Sequence, residues 1–351
     1  MRSHKPRIKV ISTGGTIASA DFETGKRPAH GVTELLRRVP YISEHFAVEK
    51  TQLFGKGKDS TLIGYSDWRK MVKEAFDPLM RGNPVLILHG TDTMAYTGAA
   101  LPFMLQKPRA PVILTGSMRT PDEPDSDVVR NLEDSARFAL VAAPGFYVVF
   151  NGKVMNSARV TKVHSSSLDA FDTVDSRYIA KIQNGKVIGY MKPKQIDAQA
   201  EVALNTSLYD KKVFTLKVTP GLPPSVLDMI RRAGFMGIVI EGFGLGGVPF
   251  VTGAYGTNVV GGFLYKAMEV AADIPIVLTT QTVHGGVNLS EYEVGKKIEN
   301  SRIISGEDMT SEAAAVKLMW CLGQEMTLNQ ITKAFKRSYV GEVTFKLGAK
   351  G

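Results

Sequence analysis

Short apolar segments alternate with amphipathic helical segments along this chain, and this alternation restricts the possible folds more than any other feature. Residues 84–88 and 111–114 are apolar at every position, as expected for strands buried on both faces of a sheet. Residues 66–80 instead repeat apolar side chains every three or four positions, which predicts a helix. The alternation predicts an α/β fold in which helices cover both faces of a parallel sheet.

The same patterns extend along the chain and divide it in two. Further strands are predicted at residues 9–12, 146–150, 213–218, 237–241 and 274–279, and further helices at 32–39, 95–105, 128–142, 224–233, 259–272, 310–322 and 328–335. Residues 181–209 are more polar and have no sustained period. We therefore expect an N-terminal domain with the catalytic motifs (1–190), a linker (191–212) and a smaller C-terminal α/β domain (213–351).

Composition excludes several classes of protein. The chain has 351 residues, of which 44% are hydrophobic and 22% charged, as in globular proteins. Its net charge of +9 is spread along the sequence without a basic stripe carrying aromatics, so we expect no nucleic-acid interface. Cys321 is the single cysteine, which excludes an intrachain disulfide and favours the cytoplasm. The longest apolar stretch, residues 138–150, is too short to span a membrane.

Two polar motifs follow predicted strands, at the sheet edge where α/β proteins bind ligands. The first, Thr-Gly-Gly-Thr-Ile-Ala at 13–18, predicts a tight turn that exposes the Thr16 hydroxyl, or simply a turn from strand to loop. The second, His-Gly-Thr-Asp-Thr-Met at 89–94, precedes a predicted helix. Asp92 then either caps that helix or holds an ammonium group, and Thr91 either attacks a substrate or polarises a water.

Two further sites have an ordinary structural interpretation beside a functional one. Lys162, in an alternating segment, is either a solvated charge or an amine that activates a hydroxyl. Asp59, Ser60 and Thr61 have the composition of a turn. The glycine-rich segment 242–247 fits a dinucleotide-binding spacing, but no helical pattern follows it directly, so we expect no cofactor. No metal site is expected either.

Together these motifs resemble the asparaginase/glutaminase family that uses two threonines. The resemblance rests on residues 13–18, on Asp59-Ser60 ahead of Trp68, on residues 89–94, and on Thr161-Lys162. Further similar segments are Thr-Gly-Ser-Met-Arg at 115–119 and Val-Ile-Glu-Gly-Phe-Gly at 239–244. It covers nearly the whole chain, and it implies a larger N-terminal parallel-sheet domain with a smaller C-terminal domain.

The resemblance also implies roles for individual residues. Thr16 would be the nucleophile, and Thr91, Asp92 and Lys162 would form a second catalytic triad. Asp92 would in addition receive the α-ammonium group of the substrate, and Ser60 its α-carboxylate. The full set of implied substrate-binding residues is Ser60, Asp59, Thr61, Gly15, Gly90 and Ser117.

The sequence departs from the family in the loop after the first motif. The family usually has a tyrosine there, near the nucleophile, but no tyrosine occurs between Met1 and Tyr41. Lys26 or Arg27 stands at the matching place, and Lys26, His30 or Tyr65 is left to supply the role. We expect residues 21–31 to form a mobile lid, and we take Lys26 as the first candidate for a base, since desolvation lowers the pKa of an amine.

The implied function is hydrolysis of L-asparagine to L-aspartate and ammonia, by a homodimer or homotetramer. An alternative is the asparaginase-like subunit of archaeal glutamyl-tRNA(Gln) amidotransferase, which residues 95–101 and 341–343 also resemble. That subunit usually carries an extra domain ahead of the catalytic one, whereas the first motif here begins at residue 13, which favours the free-standing enzyme. We expect a nucleic-acid partner, tRNA, only if this alternative holds. A catalytically weak amino-acid-binding protein on the same fold is the third possibility.

Overall fold

A computed structural model describes residues 5–192, 203–205, 213–250 and 262–344. These residues form two compact units, the first comprising residues 1–173 and 177–206, and the second residues 174–176 and 207–351. Both units are α/β, so the predicted fold class is confirmed. In the described part of the chain, no helix is long and apolar enough to cross a membrane.

The first unit is built on an eight-stranded sheet. The strands of the whole unit are β1 Arg7–Ser12, β2 Ser19–Ala20, β3 Arg27–Pro28, β4 Ala47–Gln52, β5 Val85–Leu88, β6 Leu105–Gln106, β7 Pro111–Thr115, β8 Gly145–Phe150, β9 Lys153–Asn156, β10 Val160–Lys162, β11 Phe171–Thr173, β12 Ala180–Gln183, β13 Lys186–Ile188 and β14 Ala203–Leu204. The order in the large sheet is β13-β12-β9-β8-β7-β5-β1-β4. Strands β4, β1, β5, β7 and β8 are parallel, and β9, β12 and β13 extend the sheet in antiparallel fashion.

Helices cover this sheet, and their buried faces match the apolar periodicity. They are α1 Val32–Arg37, α2 Pro40–His45, α3 Tyr65–Met80, α4 Met94–Met104 and α5 Val128–Ala139. In α3 the buried positions include Trp68, Met71, Val72, Ala75 and Leu79, which lie on one face because a helix turns every 3.6 residues. All four residues of β5 are buried, as its apolar sequence predicts.

Elements without an apolar pattern escaped the sequence analysis. The edge strand β4 is mostly exposed or half-buried, so it shows no apolar run. The antiparallel strands β9, β11, β12 and β13 are only three or four residues long, too short for a period to stand out. Strand β10, by contrast, lies in the alternating segment around Lys162, where alternation predicts a strand. The parallel sheet predicted from β5 and β7 therefore has an antiparallel extension that the sequence did not indicate.

The second unit is a smaller parallel sheet with its own core. Its elements are β15 Val213–Lys217, α6 Ser225–Arg232, β16 Gly237–Gly242, α7 Phe263–Val270, β17 Ile276–Thr280, α8 Glu293–Glu299, β18 Ile304–Ser305, α9 Ser311–Gly323 and α10 Leu328–Phe335. The strand order is β15-β16-β17-β18, and all pairs are parallel. The predicted helix 259–272 starts outside the described residues, and its described part is α7. After β16, Phe243 and Gly247 exchange two backbone hydrogen bonds in a tight turn.

Candidate active site

Three backbone segments of the first unit meet where only glycine fits. An ideal Cβ placed on Gly15, whose φ is 81°, would lie 2.2 Å from the Cα of Gly90. On Gly14 it would lie 2.2 Å from the backbone nitrogen of Lys58, and on Gly90 it would lie 2.6 Å from the Cβ of Ser60. Real side chains do not approach so closely, and a positive φ also favours glycine. The glycines of both motifs therefore bring residues 13–16, 58–60 and 89–92 into backbone contact.

Hydrogen bonds fix the turn that carries Thr16. The backbone nitrogen of Gly15 donates to the Lys58 carbonyl at 3.0 Å, and that of Lys58 donates to the Thr13 carbonyl at 2.8 Å. The Ser19 hydroxyl donates to the Gly15 carbonyl at 2.8 Å. Thr16 opens a short 3₁₀ turn, Thr16–Ala18, and is half-buried at the end of β1. Its hydroxyl is thus carried on a rigid turn beside the second motif.

Lys162 links two polar residues of the second motif, Thr91 and Asp92. Its Nζ donates to the Thr91 hydroxyl at 2.9 Å and to Oδ1 of Asp92 at 2.6 Å. The Lys162 side chain is only 19% exposed, whereas that of Asp92 is 55% exposed. Helix α4 begins after Thr93, so the alternative in which Asp92 caps this helix is wrong. Lys162 is likewise more than a solvated charge, and the carboxylate of Asp92 remains open to a ligand.

Ser60 belongs to this group, whereas its two neighbours interact with each other. Ser60 is 3% exposed, and its hydroxyl accepts a hydrogen bond from the backbone nitrogen of Asp92 at 3.3 Å. The exposed side chain of Asp59 accepts from the backbone nitrogen and hydroxyl of Thr61, at 2.8 and 2.9 Å. Asp59 thereby caps the 3₁₀ turn Ser60–Leu62. The turn composition therefore has a structural purpose, which is to hold Ser60 against Gly90.

His89 is fixed by a chain of hydrogen bonds that the sequence analysis missed. Its Nδ1 lies 2.7 Å from the Gly90 carbonyl, which only accepts, so Nδ1 carries the proton. Its Nε2 lies 2.9 Å from the hydroxyl of Thr97, and this hydroxyl accepts from Nε1 of Trp68 at 2.9 Å. Complete burial lowers the pKa of His89 to about 4. The imidazole is therefore neutral and accepts from Thr97, and it holds the peptide that leads into Thr91.

The segment after β7 adds a third strand end to the same edge. A Cβ on Gly116 would lie 2.4 Å from the His89 carbonyl, so this turn packs directly on the second motif. The carboxylate of Asp127 accepts hydrogen bonds from the backbone nitrogens of Met118 and Arg119, at 3.0 to 3.1 Å. Ser117 is fully buried, and its hydroxyl donates to the Arg119 carbonyl at 2.6 Å. Ser117 thus stabilises its own turn in this structure.

Of the three candidates for the role of the absent tyrosine, Lys26 and His30 lie in the loop that follows Thr16, whereas Tyr65 does not. Nζ of Lys26 donates to both carboxylate oxygens of Glu123, at 2.8 and 2.7 Å. This ion pair directs the amine to Glu123 and argues against Lys26 as the base. His30 lies between two carboxylates, and the guanidinium of Arg27 stacks 4.0 Å above the ring of Phe22. Tyr65 begins α3 and therefore lies outside this loop.

Both α/β units match the domains of one enzyme family. Residues 7–195 match the family described as asparaginase, N-terminal, and residues 212–335 match the glutaminase/asparaginase C-terminal domain. The chain belongs to this family, and it is an amidohydrolase by this membership.

Particular relatives are similar over nearly the full length of the chain. The L-asparaginase of Thermococcus kodakarensis is 40% identical over 338 residues, which are 96% of this chain and 99% of that protein. Its solved structure has a TM-score of 0.87 at 38% identity and covers 97% of this chain and 100% of that one. One subunit of the glutamyl-tRNA(Gln) amidotransferase of Pyrococcus abyssi is 36% identical over 350 residues, which are 97% of this chain and 77% of that protein. L-asparaginase I of Vibrio cholerae, at 23% identity and a TM-score of 0.83 with coverage of 97% of this chain and 100% of that one, shares the fold.

Proposed function

We propose that this protein hydrolyses L-asparagine to L-aspartate and ammonia, with Thr16 as the nucleophile. The observation that carries the proposal is the contact of Gly15 with Gly90, which sets Thr16 beside the linked group Thr91, Lys162 and Asp92. A threonine hydroxyl is a weak nucleophile and needs a neighbouring group to take its proton. Thr91 of the second motif and Lys162 supply a hydroxyl and an amine in hydrogen-bond contact for that purpose.

The chemistry follows in two steps. Thr16 Oγ forms a bond to the side-chain amide carbon, its proton is transferred to the leaving nitrogen, and ammonia departs from an acyl-Thr16 ester. Water then adds to the ester carbon, and the Thr16 oxygen leaves with a proton as aspartate is released. Backbone N–H groups at the two glycine turns are suitable donors for the oxyanion of each step.

The residues around this group suit an amino-acid substrate. The Asp92 carboxylate is 55% exposed, which leaves it accessible to an α-ammonium group. Ser60 is held against Gly90, and its hydroxyl is a donor for an α-carboxylate. The close contacts of Gly15 with Gly90 and of Gly90 with Ser60 bring these residues near Thr16, which favours a small amide. The similarity to the L-asparaginase of Thermococcus kodakarensis, in sequence and in structure, supports asparagine as that amide.

The decisive experiment measures ammonia released from L-asparagine by the wild type, Thr16→Ala and Thr16→Ser. We expect Thr16→Ala to lower kcat by about 10³-fold or more, because the lost group acts only in the transition state. Thr16→Ser should retain part of the activity, since it keeps the hydroxyl. Thr332→Ala, an exchange of a helical threonine in the second unit, is the matched control and should change nothing. Full turnover by Thr16→Ala would exclude Thr16 as the nucleophile.

A second candidate function is supply of ammonia within a glutamyl-tRNA(Gln) amidotransferase, because the relative from Pyrococcus abyssi is named as a subunit of such an enzyme. It uses the same amide chemistry, so the variants above do not separate the two functions. Asparagine turnover by the purified chain alone favours the free-standing enzyme. Turnover that requires a kinase-like partner subunit and charged tRNA would favour the amidotransferase. Binding of asparagine without turnover would indicate a weakly catalytic binding protein.

We further propose that the protein is cytoplasmic and acts as a homodimer or homotetramer. The support for the first point is its single cysteine, Cys321, which is free and buried. Light scattering after size-exclusion chromatography decides the oligomeric state, and a monomeric active enzyme would contradict it.

A further inference from the structure

Two acidic side chains hold the loop that follows Thr16. Both oxygens of Glu123 accept from Nζ of Lys26, and one of them also accepts from the backbone nitrogen of Thr120 at 2.5 Å. The hydrogen bond from Lys26 lowers the pKa of Glu123. The hydrogen bond from Thr120 orients the Glu123 carboxylate within its own turn, independently of Lys26. Glu123 is therefore a fixed point of attachment for the loop and not a freely moving surface charge.

The neighbouring Asp122 makes a second attachment. Its Oδ2 lies 2.7 Å from Nε2 of His30, whose Nδ1 lies 2.7 Å from Glu34. Its Oδ1 accepts from Arg38 at 2.6 Å, and Arg38 also donates to the Pro121 carbonyl at 2.8 Å. Arg38, and after it His30, lowers the pKa of Asp122. Since His30 is only 9% exposed, this attachment is better shielded from solvent than that of Lys26.

The attached loop is joined directly to the turn of Thr16. Strands β2 and β3 pair Ser19 with Pro28 and Ala20 with Arg27. The backbone nitrogens of Ala29 and His30 both donate to the Ala18 carbonyl, at 2.8 and 2.9 Å. Ala18 is the last residue of the 3₁₀ turn that Thr16 opens. A displacement of Lys26 or His30 is therefore passed to Thr16 through a few short hydrogen bonds.

We propose that Asp122 and Glu123 are positioning residues, which fix the loop 21–31 and through it the hydroxyl of Thr16. The expected effect on kcat rests on the proposed function, whereas the attachment of the loop to Asp122 and Glu123 does not. In this proposal Lys26 attaches the loop to Glu123 and does not act as a base. Loss of either attachment lowers kcat, because Thr16 then spends less time in the reactive geometry.

The test is a double-mutant cycle of Lys26→Met, Glu123→Gln and both together. Hydrogen exchange of residues 21–26 reports the attachment, and kcat and KM report its effect on Thr16. Each single variant should speed exchange and lower kcat by on the order of twofold to fivefold, as expected for a partly exposed ion pair. The double variant should be no worse than the more affected single one. The control cycle uses Lys266→Met and Glu269→Gln, an exposed pair at 2.8 Å in the second unit, and should change neither.

Lys26→Arg separates attachment from base catalysis. An arginine keeps the ion pair with Glu123 but stays protonated, so it cannot act as a base. We expect near wild-type kcat and loop exchange in Lys26→Arg. Unchanged exchange in Glu123→Gln, or additive effects in the double variant, would overturn the proposal, as would a Lys26→Arg variant with normal exchange and lost activity. If the wild type releases no ammonia, the proposed function fails, while the exchange cycle still decides the attachment.

Discussion

Replacement of Thr97 by valine tests the hydrogen-bond chain behind the second motif. Valine has nearly the shape of threonine, so the exchange removes the hydroxyl and leaves the packing of α4 intact. Two buried groups then lose their partner, namely Nε1 of Trp68 and Nε2 of His89, both 2.9 Å from that hydroxyl. An unsatisfied buried polar group costs about 1–3 kcal/mol. The free energy of unfolding should fall by about 2–6 kcal/mol, the sum for two such groups.

The assay uses the fluorescence of Trp68 during urea unfolding. The chain has two tryptophans, and a Trp320→Phe background leaves Trp68 as the sole reporter of the first unit. Ser135→Ala is the matched control. Ser135 is also fully buried, but its hydroxyl donates to the Asn131 carbonyl within α5, so its loss leaves no donor without a partner. We expect Ser135→Ala to cost less than about 1 kcal/mol.

Activity provides a second measure of the same change. His89 holds the Gly90 peptide, which lies against Gly15 and Ser60. Without the Thr97 hydroxyl the imidazole loses one of its two hydrogen bonds, and a tilt of the ring would displace Gly90 and Thr91. We expect a lower kcat in Thr97→Val. Equal unfolding free energies for Thr97→Val and Ser135→Ala would show that the chain of hydrogen bonds contributes nothing, and the stabilising role assigned to Thr97 would have to be abandoned.

Three further predictions concern single positions. Gly15→Ala should abolish activity, because its Cβ meets backbone at 2.2 Å; circular dichroism checks that the variant folds, and wild-type kcat would contradict the close contact. The pKa of His89 is about 4 when folded, below its ordinary 6.5, so its contribution to stability is complete above pH 6.5 and is lost as the pH falls toward 4. This amounts to about 3 kcal/mol, and unfolding free energies measured across that range should fall less steeply in His89→Gln. Lys317 and Glu342 form a fully buried ion pair at 2.6 Å, so Lys317→Met should cost about 3–5 kcal/mol by removing the positive charge that faces the buried Glu342 carboxylate. Thermal unfolding should show that adding Glu342→Gln recovers part of this loss, and a further loss would contradict the explanation.

Strands, helices and motif positions are predictable from the amino-acid sequence wherever a pattern repeats. Strand β5 and helix α3 follow from runs and periods of apolar side chains, because burial on two faces or on one stripe leaves that trace in sequence. The edge strand β4 leaves none, since it is largely exposed. The motifs that begin at Thr13 and His89 also come from sequence alone, because parallel strands direct their carboxyl ends to one edge. Their glycines indicated close backbone approach, but not which segments approach each other.

The partners of the polar side chains, by contrast, depend on how distant segments pack. Lys162 is 70 residues from Asp92, and Lys26 is 97 residues from Glu123, so no local pattern could connect them. A hydrogen bond depends on distances of about 3 Å, which are set by how the loops pack and not by residue type. Lys26 therefore has the chemistry of a candidate base in sequence and lies in an ion pair in the structure. The type of chemistry was thus predictable from the motifs, while the geometry that would perform it came from the fold.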